Sequence, residues 1–159
     1  ARRSSLIVPP AGRKGSAFVG EVHLWTADPD AFLVTAGAEG IGIKDRAGEN
    51  AYIPRSERRL GRGETATLSF LLCPDTRSYP TTASPLRVRR SLLGAGDEEV
   101  AGFHDILLSD PPDTATGCYQ IYNAIPPNTL GEGVYRFTIT LSGPTLNAPV
   151  TREAALAVD

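Results

Sequence analysis

The sequence predicts an all-β fold, an antiparallel two-sheet sandwich of jelly-roll or related Greek-key topology with seven to nine short strands. Three observations lead there. The 159 residues are the size of one domain and suffice to close a single core. Sixteen glycines and thirteen prolines are spread along the chain, which favours many turns between short elements over helices. In the clearest segments the apolar residues alternate with period two.

The elements follow in order. Residues 1–16 (ARRSSLIVPPAGRKGS) read as a basic N-terminal arm, ahead of a single sandwich domain over 17–159. Leu6, Ile7 and Val8 form a short apolar tag ended by Pro9-Pro10. It suits pairing with a sheet edge of its own or a neighbouring chain, or service as a first edge strand. Ala17 to Thr26 alternates as a strand, with Phe18, Val22 and Leu24 on one face and Val19, His23 and Trp25 on the other. Asp28-Pro29-Asp30 makes a turn, and Ala31 to Thr35 is a second short strand. Residues 36–64 are Gly-rich and charged, with a weak strand at Ile41 to Lys44 and a long basic loop reaching Gly63.

Thr65 to Cys73 predicts a strand with Ala66, Leu68, Phe70 and Leu72 inward and Thr65, Thr67 and Ser69 outward; Pro74 stops it. Leu86 to Leu93 is another, with its arginines on the exposed face. Phe103 to Leu108 and Cys118 to Ile125 follow, separated by the turn Asp110-Pro111-Pro112-Asp113. Gly133 to Ser142 alternates Tyr135, Phe137, Ile139 and Leu141 with Arg136, Thr138 and Thr140 and is rich in β-branched and aromatic residues. The tail, Val150 to Val158, fits a last edge strand or one short helix over Glu153 to Ala157.

The net charge of −2 hides an uneven layout. Arg2, Arg3, Arg13 and Lys14 precede the first acid, Glu21; Arg55, Arg58, Arg59 and Arg62 form a second basic cluster; Arg87, Arg89 and Arg90 form a third. Only two of the sixteen basic residues are lysine. Arginine suits bidentate phosphate contacts, though a GC-rich genome produces the same bias. The arm residues Arg2, Arg3, Arg13 and Lys14 are therefore candidate nucleic-acid contacts, acting by counterion release. A solvated tail is the alternative.

Cys73 and Cys118 are the only cysteines. They read either as two buried free thiols or as one disulfide in an oxidising compartment. Trp25 precedes both, so the antibody pattern of a tryptophan between paired cysteines is absent; a true immunoglobulin domain is disfavoured, a looser sandwich is not. There is no apolar run long enough for a membrane span. Arginines directly after a signal-cleavage point oppose export, so the expected location is the cytoplasm, with secretion or the periplasm as the alternative.

No catalytic, cofactor or metal site is expected. Two histidines, His23 and His104, cannot make a metal site alone. On a strand, His104 and Asp105 would point to opposite faces. No serine sits in a nucleophile elbow, and Gly40-Ile41-Gly42 lacks the rest of a nucleotide fingerprint. Asp97-Glu98-Glu99 reads as a solvated loop because three consecutive acids do not converge on one ion.

Several segments resemble the jelly-roll coat proteins of small icosahedral RNA viruses, the tymovirus-like group in particular. The residues are Thr67-Leu-Ser-Phe-Leu-Leu-Cys-Pro74 with Tyr79 to Pro85 after it, then Ile125-Pro-Pro-Asn, Phe137-Thr-Ile-Thr-Leu-Ser-Gly143 and Leu146-Asn-Ala-Pro-Val-Thr151. Ala17-Phe18 with Glu21-Val22 matches their opening strand. The resemblance implies a structural, self-assembling shell subunit without enzymatic activity, with copies of itself as partners and RNA inside. Leu6, Ile7 and Val8 would then be a subunit-contact arm. The rival expectation is a secreted or periplasmic adhesion, binding or pilus-like sandwich with a Cys73–Cys118 disulfide.

Overall fold

The computed structural model describes residues 13–28 and 51–159. The expected contact residues Arg2, Arg3, Leu6, Ile7 and Val8, and the expected strands at 31–35 and 41–44, lie outside them. Among the described residues there are eleven strands and one 3-10 turn, more pieces than the seven to nine expected because several are only two to four residues long.

One sheet is built from β1 (Ala17–Val19), β2 (His23–Asp28), β3 (Ala51–Pro54), β5 (Ala66–Pro74) and β9 (Tyr119–Ile125). Its order is β3–β2–β5–β9, with β1 continuing β2 along the same side of β5. The other sheet holds β4 (Arg59–Leu60), β6 (Leu86–Leu93), β7 (Glu99–Gly102), β8 (Ile106–Leu108), β10 (Gly133–Ser142) and β11 (Val150–Val158). Its order is β4–β11–β10–β6, with β7 and β8 placed end to end along the outer side of β6. Every pairing is antiparallel except β4 with β11.

The two sheets bury one apolar core: Leu24, Leu68, Phe70 and Leu72 from the first meet Leu86, Val88, Phe137 and Ile139 from the second. β10 alternates as expected; in β5 the inward set Ala66, Leu68, Phe70 and Leu72 is buried as expected, but Thr67 and Ser69 of the outward set are covered as well, and the tail is a strand rather than a helix. Among the described residues the strand order is a Greek-key order of the immunoglobulin type, the second of the two topologies expected. β1/β2, β5 and β9 occupy the A, B and E positions; β6, β7/β8, β10 and β11 occupy C, C′, F and G. Two hairpins within one sheet, β6–β7 and β10–β11, decide this. Asp97, at φ 62°, makes the tight turn of the first. Tyr135, near the start of β10, donates its hydroxyl to the carbonyl of Gly131 at 2.8 Å, the tyrosine corner of such sandwiches.

Four local expectations are corrected. Four steps from Val19 to His23 oppose three from Leu72 to Ser69, so one extra residue bulges out between β1 and β2. The bulge shifts the alternation, and Val19 joins Val22 and Leu24 in the core. β3 and β4 interrupt the supposed basic loop. Phe103 to Leu108 is not one strand, because Phe103, His104 and Asp105 form the link between β7 and β8. Arg90 is buried on the inner face of β6, while Arg87 and Arg89 are exposed.

Residues 13–16 of the expected arm are tied to the domain. Gly15 donates to Ser78 Oγ at 2.7 Å, and Asn147 donates to the carbonyls of Gly15 and Lys14. Gly15 sits at φ +83°, and a Cβ there would lie 2.3 Å from the Asn147 side chain, so only glycine fits. The same contacts place Arg13 at the pole where β10 gives way to β11. Val158 ends β11 opposite Gly133, at the other pole.

Candidate functional site

The outer face of the first sheet carries a mixture of aromatic, polar and sulfur groups. Because β1/β2, β5 and β9 run side by side, alternate residues from each point out together. Phe18, His23 and Trp25 come from the first strand pair, Ser69 and Leu71 from β5, and Gln120 from β9. They line a shallow groove of about 170 Å³. The Trp25 indole N–H donates to Ser69 Oγ at 2.7 Å. Trp25 pairs directly with Thr67, so reaching Ser69 lays the indole diagonally across the sheet. That contact explains why Ser69, expected to face outward, is covered. Leu71 remains 39 % exposed and Tyr122, further along β9, 50 % exposed.

One end of the groove is closed by a Cys73–Cys118 disulfide, with Cα atoms 4.2 Å apart. Leu72 pairs with Tyr119, so the cysteines are the next opposed pair. A separation this small marks the close, non-hydrogen-bonded type of antiparallel pair, where side chains approach most nearly. The bond therefore joins neighbouring strands of one sheet, unlike the inter-sheet bond of antibody domains. No free cysteine is found among the described residues, so the free-thiol alternative is not the one adopted.

The basic clusters are largely committed to holding the sandwich together. Arg55 donates to Thr26 Oγ1 at 2.7 Å and to Glu64 at 2.6 Å. Arg58 reaches the carbonyls of Ala155 and Val22, and Arg152 that of Val19, so these two stitch the first sheet's edge to β11. Arg59 pairs with Asp159 at 3.1 Å and Arg87 with Asp105 at 3.8 Å. Arg13 and Lys14 are exposed beside the pole they help close. The structure thus does not gather the arm and the 55–62 cluster into one phosphate-binding surface among the described residues.

Arg90 is the one charged side chain buried among the described residues. Its guanidinium donates to Asn123 Oδ1 and to the carbonyl of His104, and its Cζ lies 5.4 Å from the Phe103 ring centroid. Its Nε has no partner among the described residues. Burial holds this guanidinium below its ordinary value, opposed by the Asp105 charge. Asn123 in turn donates to the Leu68 carbonyl at 3.0 Å.

Among the described residues, no three His, Cys, Asp or Glu side chains come together as a metal site, and no helix is long and apolar enough to cross a membrane. The groove itself went unread in the sequence. The Cys73–Cys118 bond was one of the two readings open in the sequence, but the pairing register that unites Trp25 with Ser69 and sets both beside that bond is a tertiary fact. No family model and no curated protein matches this chain.

Proposed function

We propose that this chain is a binding module of the immunoglobulin-type sandwich class, matured in an oxidising compartment, and that it presents the outer face of its first sheet to a partner. The observation that carries the reading is the cross-strand disulfide at the end of the Trp25 groove. Cytosolic thiol pools keep such pairs reduced, whereas secreted and periplasmic domains retain them. The groove has the make-up of a recognition surface: an apolar centre of Trp25, Phe18 and Leu71 with His23, Gln120 and Glu21 around it. The test is the intact mass of the chain from its native source, alkylated without reductant. A mass two hydrogens below the dithiol supports the reading; two added alkyl groups overturn it.

A second reading, the structural self-assembling subunit of shell or coat type, draws its support from a different place. β9 is an edge strand without a second neighbour among the described residues. In that reading the protein's partners are copies of itself, and exposed Arg13 and Lys14 extend a basic arm toward nucleic acid.

A further inference from the structure

We propose that the outer edge of β9 accepts the segment Arg2–Val8 of a second copy as an added strand. The observations concern the edge, the slot beside it and the charge around it.

β9 pairs with β5 over seven consecutive residues without a bulge and has no second neighbour among the described residues. The close Cys73–Cys118 pair sets the phase of that ladder. By alternation, the backbone N–H and C=O groups of Gln120, Tyr122 and Ala124 point away from β5, along the outer edge. The side chains of the same three residues are exposed. Natural edge strands are shielded by charge, proline or bulges. The stretch Tyr119–Ile125 carries none of these.

Beside this edge the linker 109–118 leaves an open slot of about 480 Å³, lined in part by Leu108, Pro111, Pro112, Tyr119 and Ile121. Strand addition takes its affinity from the main chain and its specificity from pockets for alternate side chains. Both parts are present here. Asp110 and Asp113, both exposed, stand at the Tyr119 end of the slot.

The occupant that matches is written in the chain itself: Arg2-Arg3-Ser4-Ser5-Leu6-Ile7-Val8, two cations followed by a strand-forming apolar trio. Parallel addition sets Arg2 and Arg3 against Asp110 and Asp113 and lays Leu6 to Val8 along Gln120 to Tyr122. In that orientation the chain's own segment does not reach. Val8 would lie one strand beyond β9, three strand spacings from β1, which makes roughly 22 Å to Arg13 when the offset along the strands is included. Five residues span at most about 18 Å. The donor is therefore another copy, and the contact is head-to-tail.

The test uses light scattering on the full chain over a concentration series at low and high salt, with variants Ile7→Asp and Tyr122→Pro. Tyr122→Pro removes an outward N–H without touching the bonds to β5, and circular dichroism checks its fold. The expected results are salt-weakened chains or rings for the parent, monomers for each variant alone, and 1:1 dimers that grow no further when the variants are mixed, because only one complementary contact survives. A parent that stays monomeric at all concentrations overturns the proposal. So does an Ile7→Asp protein that still assembles, which would assign the edge to another segment such as β9 of the second copy. The slot and the Trp25 groove share Leu71, Cys118 and Gln120, but Trp25 lines only the groove, so Trp25→Ala is expected to leave assembly unchanged whether or not the binding-module reading holds.

Discussion

The guanidinium of Arg90, on the inner face of one sheet, donates to the side-chain oxygen of Asn123 on the inner face of the other. This polar bridge crosses the core beside the Phe70–Phe137 and Phe103–Phe137 ring contacts. Removing one end strands the other. Arg90→Met is expected to destabilise the domain by about 2 kcal/mol, the cost of an unpaired buried carbonyl oxygen. The double variant Arg90→Met, Asn123→Leu is expected to recover much of that loss. Urea midpoints for the two singles and the double form the cycle; strictly additive losses would deny the coupling.

The disulfide is expected to contribute about 4 kcal/mol by the loop-entropy relation for its sequence separation of 45. The paired variant Cys73→Ser, Cys118→Ser should unfold at a markedly lower denaturant concentration than the oxidised parent. Dithiothreitol should lower the parent's midpoint and leave the variant's unmoved.

Burial pushes the Tyr119 phenol up to about 12, assisted by Tyr79 and Asp110. The sign is that of an acid held neutral by folding. Its contribution is fully present below the unfolded value of 10.0 and is lost as pH rises through the folded one. Absorbance titration at alkaline pH should show one tyrosine ionising late, and Tyr119→Phe should abolish that late step. A parent and variant with superimposable late steps would refute the assignment.

Tyr135→Phe removes the corner bond to Gly131 while keeping the ring. A loss of about 1 kcal/mol is expected from one hydrogen bond. Thermal melts should register it, with the strand signal in circular dichroism preserved.

Much of the architecture was legible because amphipathic alternation is local. β10 and β5 announced themselves in Tyr135/Phe137/Ile139/Leu141 and Ala66/Leu68/Phe70/Leu72, whose inward set needs no knowledge of neighbours. What stayed hidden is relational. The bulge between Val19 and His23 depends on β5 as its ruler. Arg90 resembled its exposed neighbours Arg87 and Arg89 until Asn123 and the His104 carbonyl were placed opposite it. β4 is two residues long and exists only because β11 lies alongside. The sequence left jelly roll and related Greek-key order both open for a related reason: strand patterns give faces but not order, and the choice rests on which hairpins stay within one sheet. The site suffered most, since Trp25, Ser69, Leu71 and the two cysteines are scattered over ninety-odd positions and meet only through register.

The bond between Cys73 and Cys118 also governs mechanics. Arg13 and Asp159 stand at opposite poles, so tension applied between them pulls along the length of the sandwich. When the domain gives way, the stretch between the cysteines stays clamped. With a sequence separation of 45, that clamp withholds roughly 160 Å of extension at about 3.5 Å per residue. Oxidised, the domain is a short tether; reduced, it is a long one, and a pulling trace would read the redox state as a difference in contour length.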